Sequence, residues 1–420
     1  MLQSHFSVQR VPFCLGDSKK ESLSNPMKSF FSKKGSNAYL IAFVLYGLSN
    51  SIRLLAFSGD IFSYGIKALI AMCQGLALIM LVFSWCVVFL HSRRFSIIAL
   101  ILIGFSAILS IAAHNYVLFW MVSFSALGRV ADMHKIVKTV FLLAVFTLTC
   151  ALVGLCSGIL NNYTMIRQDG FIRYSCGFNH PNQAGCVVLA GCCSWAYTRW
   201  RVWGIADRLI LIAAFAFTCI YLDSRTTALL LAVLIIVTEL LNAFGERAWV
   251  QKAVPIVMLI TIVFVIAATL AMMVFYDGED PLFQSLNNAL SGRPYYLNYY
   301  FENCPPGLFA QDLTNIRTEH DWGVGYWVTR GLLLDNAYGQ LLFCYGWVQF
   351  CLFVAAVLAL PTLILFGHRE FDVGIALSVP MMLYGLMESQ MLIVTFSAFP
   401  ILMITASANV LLENQDTDRD

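Results

Sequence analysis

The residues best suited to chemistry in this chain fall in four short polar segments set against long apolar ones. The first, RYSCGFNHPNQAGCVVLAG, runs from Arg173 to Gly191 and gathers Arg173, His180 and Asn182 where an apolar run begins. Pro181 and Asn182 fit an ordinary helix start. Arg173 and His180 are not explained by capping, and imidazole is the side chain best suited to proton transfer near neutral pH. The second, YLDSRTTALL, sets Arg225 between two apolar runs with few polar neighbours. A cation inside hydrocarbon costs about 2.5–3.5 kcal/mol at a span's centre and less at its edge, so such a residue marks function. Its null alternative is an arginine snorkelling to lipid headgroups; its functional one is an anion clamp, because guanidinium matches phosphate oxygens bidentately.

The third segment, LSGRPYYLNYYFEN, carries Arg293 after a Ser-Gly turn, with Pro294 at a helix start. Arg293 there faces phosphate or neutralises Glu302 or Asp280. The fourth, RTEHDWGVGYWVTRGLLLDNAYGQLLFCYGW, supplies Arg317, His320, Asp321, Arg330, Asp335 and Asn336 just ahead of a long apolar run. Asp335-Asn336 is a good helix cap. Capping does not account for so many titratable groups in one place, and perturbed acids and bases gather at sites of this kind.

The elements that must position these segments are membrane spans. The chain of 420 residues is 59% hydrophobic and 12% charged, about half the charge of a soluble globular protein, and its mean hydropathy is +0.75. That composition defines an all-α polytopic membrane protein. The net charge of +2 gives no argument for nucleic acid. Apolar runs of spanning length or near it lie at 38–58, 64–90, 95–113, 115–128, 138–160, 182–198, 208–222, 226–244, 253–276, 336–366, 372–387 and 391–412. They predict about twelve spans, with 115–128 the least secure. The segment 1–36 reads as a basic cytoplasmic tail without a signal peptide's apolar core, and 413–420 as a short cytoplasmic tail.

Lys and Arg set the orientation. With both termini inside, the basic turns around Arg93, Arg129, Lys135, Arg201, Arg208, Arg247 and Arg369 all fall in the cytoplasm. Three polar segments then share the outer face: 161–181, the turn around Arg225, and 277–335. The last is too long for a passive connector. Its aromatic residues, among them Tyr295, Tyr296, Tyr299, Tyr300, Trp322, Tyr326 and Trp327, argue against disorder. It is expected to fold as amphipathic helices lying on the bilayer. Most cysteines lie inside apolar runs, and none has zinc spacing, so no metal site is expected. Cys176 and Cys304, in two outer segments, would form a disulfide or remain free thiols.

Together these segments resemble the Wzy-type polysaccharide polymerases, within the superfamily that includes the O-antigen ligases. The resembling features are GFNHPNQAG and DSRTTALL, each opening a span, LSGR after a late span, and LDNAYGQLLFCYGW closing a long outer loop, in the family's order over roughly residues 160–350. The resemblance implies a GT-C-like, metal-independent glycosyltransferase of the bacterial cytoplasmic membrane that needs no cofactor. It would polymerise polyprenyl-diphosphate-linked oligosaccharide repeat units on the outer face. A flippase and a chain-length regulator are the implied protein partners. The diphosphate clamp falls to Arg225 and Arg293, with Arg173 a further candidate, and Asn182, Asn336 and Arg317 supply other polar contacts. Ligases of the superfamily show His where this chain has Asp335, which favours a polymerase and leaves Asp335, His320 or His180 as the base.

The chemistry is consistent with this. A diphosphate leaving group needs cationic stabilisation as charge develops, and fixed arginines in a low-dielectric site supply it. The acceptor hydroxyl needs a base. Arg225→Ala is expected to abolish polymer while the protein still inserts. The alternatives are a ligase of the same superfamily, a lipid-linked oligosaccharide flippase, and a membrane scaffold without catalysis. A transporter would place its charges near the midplane, in two related halves; here the midplane is nearly free of charge.

Overall fold

The computed structural model describes residues 26–58, 60–91, 93–166, 170–321, 326–330, 334–366, 373–398, 401 and 403–405. The greater part of the expected tail 1–36 and all of the expected tail 413–420 lie outside them. The fold is helical: α1 (Pro26–Leu54), α2 (Asp60–His91), α3 (Arg93–Ala112), α4 (Val117–Leu127), α5 (Met133–Cys156), α6 (Pro181–Arg199), α7 (Ile205–Ile220), α8 (Arg225–Phe244), α9 (Ala248–Phe275), α10 (Pro281–Ala289), α11 (Arg293–Asn303), α12 (Ala337–Leu365) and α13 (Val379–Tyr384). Two hairpins interrupt the helices, β1 (Thr164–Ile166) with β2 (Ile172–Tyr174), and β3 (Arg317–Asp321) with β4 (Tyr326–Arg330).

Six helical stretches among the described residues are long and apolar enough to cross a membrane: Tyr64–Leu90, Phe95–Ala112, Met133–Cys156, Arg225–Phe244, Ala248–Phe275 and Ala337–Leu365. Their outer surfaces carry Ile79, Ile101, Ile108, Leu152 and Ile260 exposed. Such a surface would be an aggregation liability in water and is the natural face of a helix in lipid. The expected spans from 38–58 through 253–276 each coincide with one of α1 to α9. The stretch 115–128 forms only the 11-residue α4, which at about 1.5 Å per residue is too short to cross a bilayer.

α6 is the core of the bundle rather than a lipid-facing helix. Nearly every residue from Ala184 to Ser194 is buried, and its small side chains let α5, α7 and α8 approach closely. At one end of the bundle the chain after α1 joins the β1–β2 segment, with Ala56 N–H donating to Gly177 O (2.8 Å) and Asn161 N–H to Ala56 O (2.7 Å).

Two regions differ from expectation. The loop 277–335 is helical only in its first half, where α10 lies with no buried residue and α11 packs on α9. Its second half pairs β3 with β4 in register, Arg317 opposite Arg330 and His320 opposite Trp327. The β-branched and aromatic residues of YWVTR favour a strand over a surface helix. The runs 372–387 and 391–412 contain no long helix among their described residues; a 3-10 turn Val373–Ser378, the six-residue α13 and a second 3-10 turn Ser389–Leu392 stand there instead.

α12 is broken at Gly346, whose φ of +82° leaves the helical region. The segment before β3 fills the break: Trp347 and Val348 N–H donate to Gly307 O (3.0 Å) and Leu308 O (3.1 Å), and Gln311 N–H donates to Cys344 O (3.1 Å). Backbone groups freed by the kink are thus paired within the protein, as membrane depth requires. A Cβ at position 346 would lie 2.6 Å from the Leu308 carbonyl, so glycine is required there.

Candidate active site at one end of the bundle

A polar cavity of about 340 Å³ opens at the end of the bundle where α6 and α12 begin. His180, Asn182, Arg293, Asp335, Glu388 and Gln390 are among the residues that line it. They come from segments far apart in sequence.

Arg173 stands on β2 and is buried. Its Nε–H donates to Leu222 O (3.1 Å), just beyond α7, and its Nη2–H to Asn182 Oδ1. The Asn182 Nδ2–H in turn donates to Glu388 Oε1 (2.6 Å). Arg293 reaches the same Glu388 oxygen from the other side (Nη2 to Oε1, 2.9 Å). The two arginines are therefore ends of one chain, Arg173–Asn182–Glu388–Arg293. Arg293 is held further by Met387 O (2.6 Å) and Asp335 O (3.3 Å) through Nε, and by Leu290 O (3.0 Å) through Nη1. It opens α11 after Ser291 and Gly292, both at positive φ (54° and 84°), a tight reversal that aims its side chain back under the bundle. Buried charges survive only when paired and hydrogen-bonded, and these are.

Glu388 is the residue that sequence reasoning missed. It is 3% exposed, and burial, with Asp335 nearby, pushes its carboxyl up to about 8. The signal was present: Glu388 is the single charged residue in the stretch 373–412, and a lone acid in an apolar run marks function.

Asp335 turns a half-exposed carboxylate (54%) toward the cavity, with Oδ2 3.9 Å from Arg293 Nη2. The surrounding protein raises its pKa, and Arg293 opposes that rise. His180 behaves differently from expectation. It is the cap of α6, its Nδ1 accepting the Asn182 backbone N–H (3.1 Å). Burial, then Arg173 and Arg293, hold it down to about 4. It is neutral at physiological pH, with Nδ1 engaged and Nε2 left as a donor. The expected roles of neighbours are thus exchanged: His180 caps the helix, and Asn182 bridges charges.

Arg225 does not line the cavity. It opens α8 with its side chain 62% exposed, 3.8 Å from Asp223 Oδ1. Asn336 is wholly buried as the cap of α12: Oδ1 accepts Gly339 N–H (2.7 Å), and Nδ2 donates to Leu386 O (2.9 Å). It makes no part of the cavity wall. The side chains of Arg317 and His320 lie outside the described residues. Gln183 and Gln390, not anticipated, line the cavity with buried Oε1 atoms that no group among the described residues satisfies. Such acceptors call for a hydroxyl donor or water. Cys176 and Cys304 are free thiols, and the described residues hold no cluster suited to a metal ion.

Beside this end of α6 lies a second, almost wholly apolar cleft of about 610 Å³ between α5, α6 and α7, lined among others by Leu148, Leu152, Val188, Ala214, Phe217 and Tyr221. Tyr221 directly precedes the Leu222 carbonyl that holds Arg173.

No family model, curated protein or solved structure matches this chain.

Proposed function

We propose that this protein polymerises polyprenyl-diphosphate-linked oligosaccharide repeat units at a membrane surface. The observation that carries the reading is the pairing of buried Arg293 with the accessible carboxylate of Asp335 in one cavity at the end of a helical bundle, with buried Arg173 joined to them through Asn182 and Glu388. Arginines fixed in a water-poor site suit a diphosphate whose charge grows as it leaves. Arg173, a further candidate under the resemblance, is joined to Arg293 through Asn182 and Glu388.

In this reading the acceptor hydroxyl loses its proton to Asp335 Oδ2 as its oxygen bonds to the anomeric carbon. The bond from that carbon to the diphosphate oxygen breaks, and the diphosphate leaves with the electron pair. His180 is neutral and donates from Nε2, so it orients a ligand oxygen rather than taking a proton. The Gln183 and Gln390 carbonyls accept hydroxyls of a sugar ring, and the apolar cleft beside α6 suits a prenyl chain.

The experiment is reconstitution in liposomes with polyprenyl-diphosphate-linked repeat units and a gel of product length. Wild-type protein should give a ladder, and Asp335→Asn should give none while still folding. A ladder from Asp335→Asn, or none from wild type with intact donor, would refute the assignment.

A further inference from the structure

We propose that Glu388 takes up one proton when a multiply charged phosphate anion binds in the cavity beside Arg293; this rests on reading the cavity as a diphosphate site. With Glu388 ionised, the network that borders the cavity is charge-balanced before any ligand arrives: Arg173 and Arg293 bring two positive charges, and Asp335 and Glu388 two negative ones. A diphosphate brings two or three more negative charges beside Glu388, whose Oε1 already holds Arg293 at 2.9 Å. Like charges that close in a low-dielectric site cannot all stay ionised, and the group that gives way is the one whose charge is least well solvated.

That group is Glu388. It is buried, whereas Asp335 keeps half of its side chain accessible. The other groups around Glu388 cannot serve. Arg293 on α11 and Arg173 on β2 stay charged, and His180 ahead of α6 is held neutral far below physiological pH. Cys186 on α6 and Tyr384 on α13 contribute a thiol and a phenol. Asp335 is the one rival acceptor.

The hydrogen bonding accommodates the proton. Both bonds to Glu388, from Asn182 and from Arg293, end on Oε1. A proton on Oε2 leaves Oε1 as an acceptor for both, so the arginine chain persists while its net charge rises by one. The proton comes from solvent on binding and returns on release. Because burial holds the Glu388 carboxyl up to about 8, the ligand-free protein carries it ionised above that pH, and the uptake is read there.

The test is calorimetric titration of the detergent-solubilised full chain with sulfate, an anion that does not itself titrate here, and with inorganic pyrophosphate, in buffers of different ionisation enthalpy. Wild type should take up close to one proton per anion at pH 8.5–9, and its affinity should fall about tenfold per pH unit above the Glu388 titration. Glu388→Gln should bind sulfate with no uptake and no such pH dependence. Asp335→Asn should keep the uptake, which serves if Glu388→Gln fails to fold. Binding without uptake, or uptake retained in Glu388→Gln, overturns the proposal and leaves the diphosphate reading standing. Absence of binding by either anion overturns both.

Discussion

Asn182 and Glu388 stand 206 positions apart in the chain and are joined by a hydrogen bond of 2.6 Å. That bond ties the first turn of the central helix α6 to the connection after α13. Each partner also holds an arginine, so a single amide–carboxylate contact fixes the distance between Arg173 and Arg293. The chain Arg173–Asn182–Glu388–Arg293 belongs to the fold, assembled from β2, α6, α11 and the segment after α13.

Removing one end of a buried ion pair leaves the other charge stranded. Arg293→Ala should lower stability by about 3–5 kcal/mol, read as a lower midpoint of unfolding in detergent. Adding Glu388→Gln should recover most of that loss without restoring anion binding. A double variant as unstable as the single would show that Glu388 is not the stranded partner.

Arg173 and Arg225 should separate cleanly. Arg173→Ala should weaken pyrophosphate binding at least tenfold, since a hydrogen-bonded buried cation is lost. Arg225→Ala should change it by no more than about twofold, because the Arg225 side chain is exposed and does not line the cavity. Equal losses in the two variants would put Arg225 back in the clamp.

Stability should depend on pH through two groups of opposite sign. Burial raises Glu388 from 4.5 to about 8, so its contribution is complete below 4.5 and is lost as pH rises through 8. His180 is lowered from 6.5 to about 4, so its contribution is present above 6.5 and is lost as pH falls through 4. The unfolding midpoint should therefore drop between pH 6.5 and 8 in wild type, and Glu388→Gln should remove that drop. A wild-type midpoint unchanged over this interval would exclude the raised carboxyl.

The break in α12 admits only glycine. Gly346→Ala should destabilise the protein by at least about 1–3 kcal/mol from the left-handed backbone alone. Displacing the Leu308 carbonyl should also make the segment around Gly307–Gln311 a new site of limited proteolysis. Unchanged cleavage and stability would mean that this segment does not seal the kink.

The helices α1 to α9 were legible in the sequence because long apolar runs separated by polar turns stand out as helices, six of the helices among the described residues being long and apolar enough to cross a membrane. Arg173, Arg293, Asp335 and His180 were legible as residues, since polar groups stand out against apolar runs. Their partnerships were not. Whether Asn182 caps a helix or bridges two charges depends on where Glu388 arrives, and Glu388 comes from a segment whose apolar composition suggested spans and which forms short turns instead. Arg225 stands exposed at its helix start and away from the cavity lining, and in sequence that looks the same as burial there. The β3–β4 hairpin escaped a reading based on aromatic content, which favours a membrane-surface helix and a strand alike.

The central claim is glycosyl transfer onto a growing chain, and the most direct measurement is made in the host. The gene is deleted, then restored as wild type or as Asp335→Asn, and surface polysaccharide is resolved by length on a gel. Single repeat units in the deletion and in Asp335→Asn, with long chains only from wild type, are the expected result. Long chains in the deletion, or single units held on the inner leaflet, would contradict a polymerase and point instead to ligation or to transport.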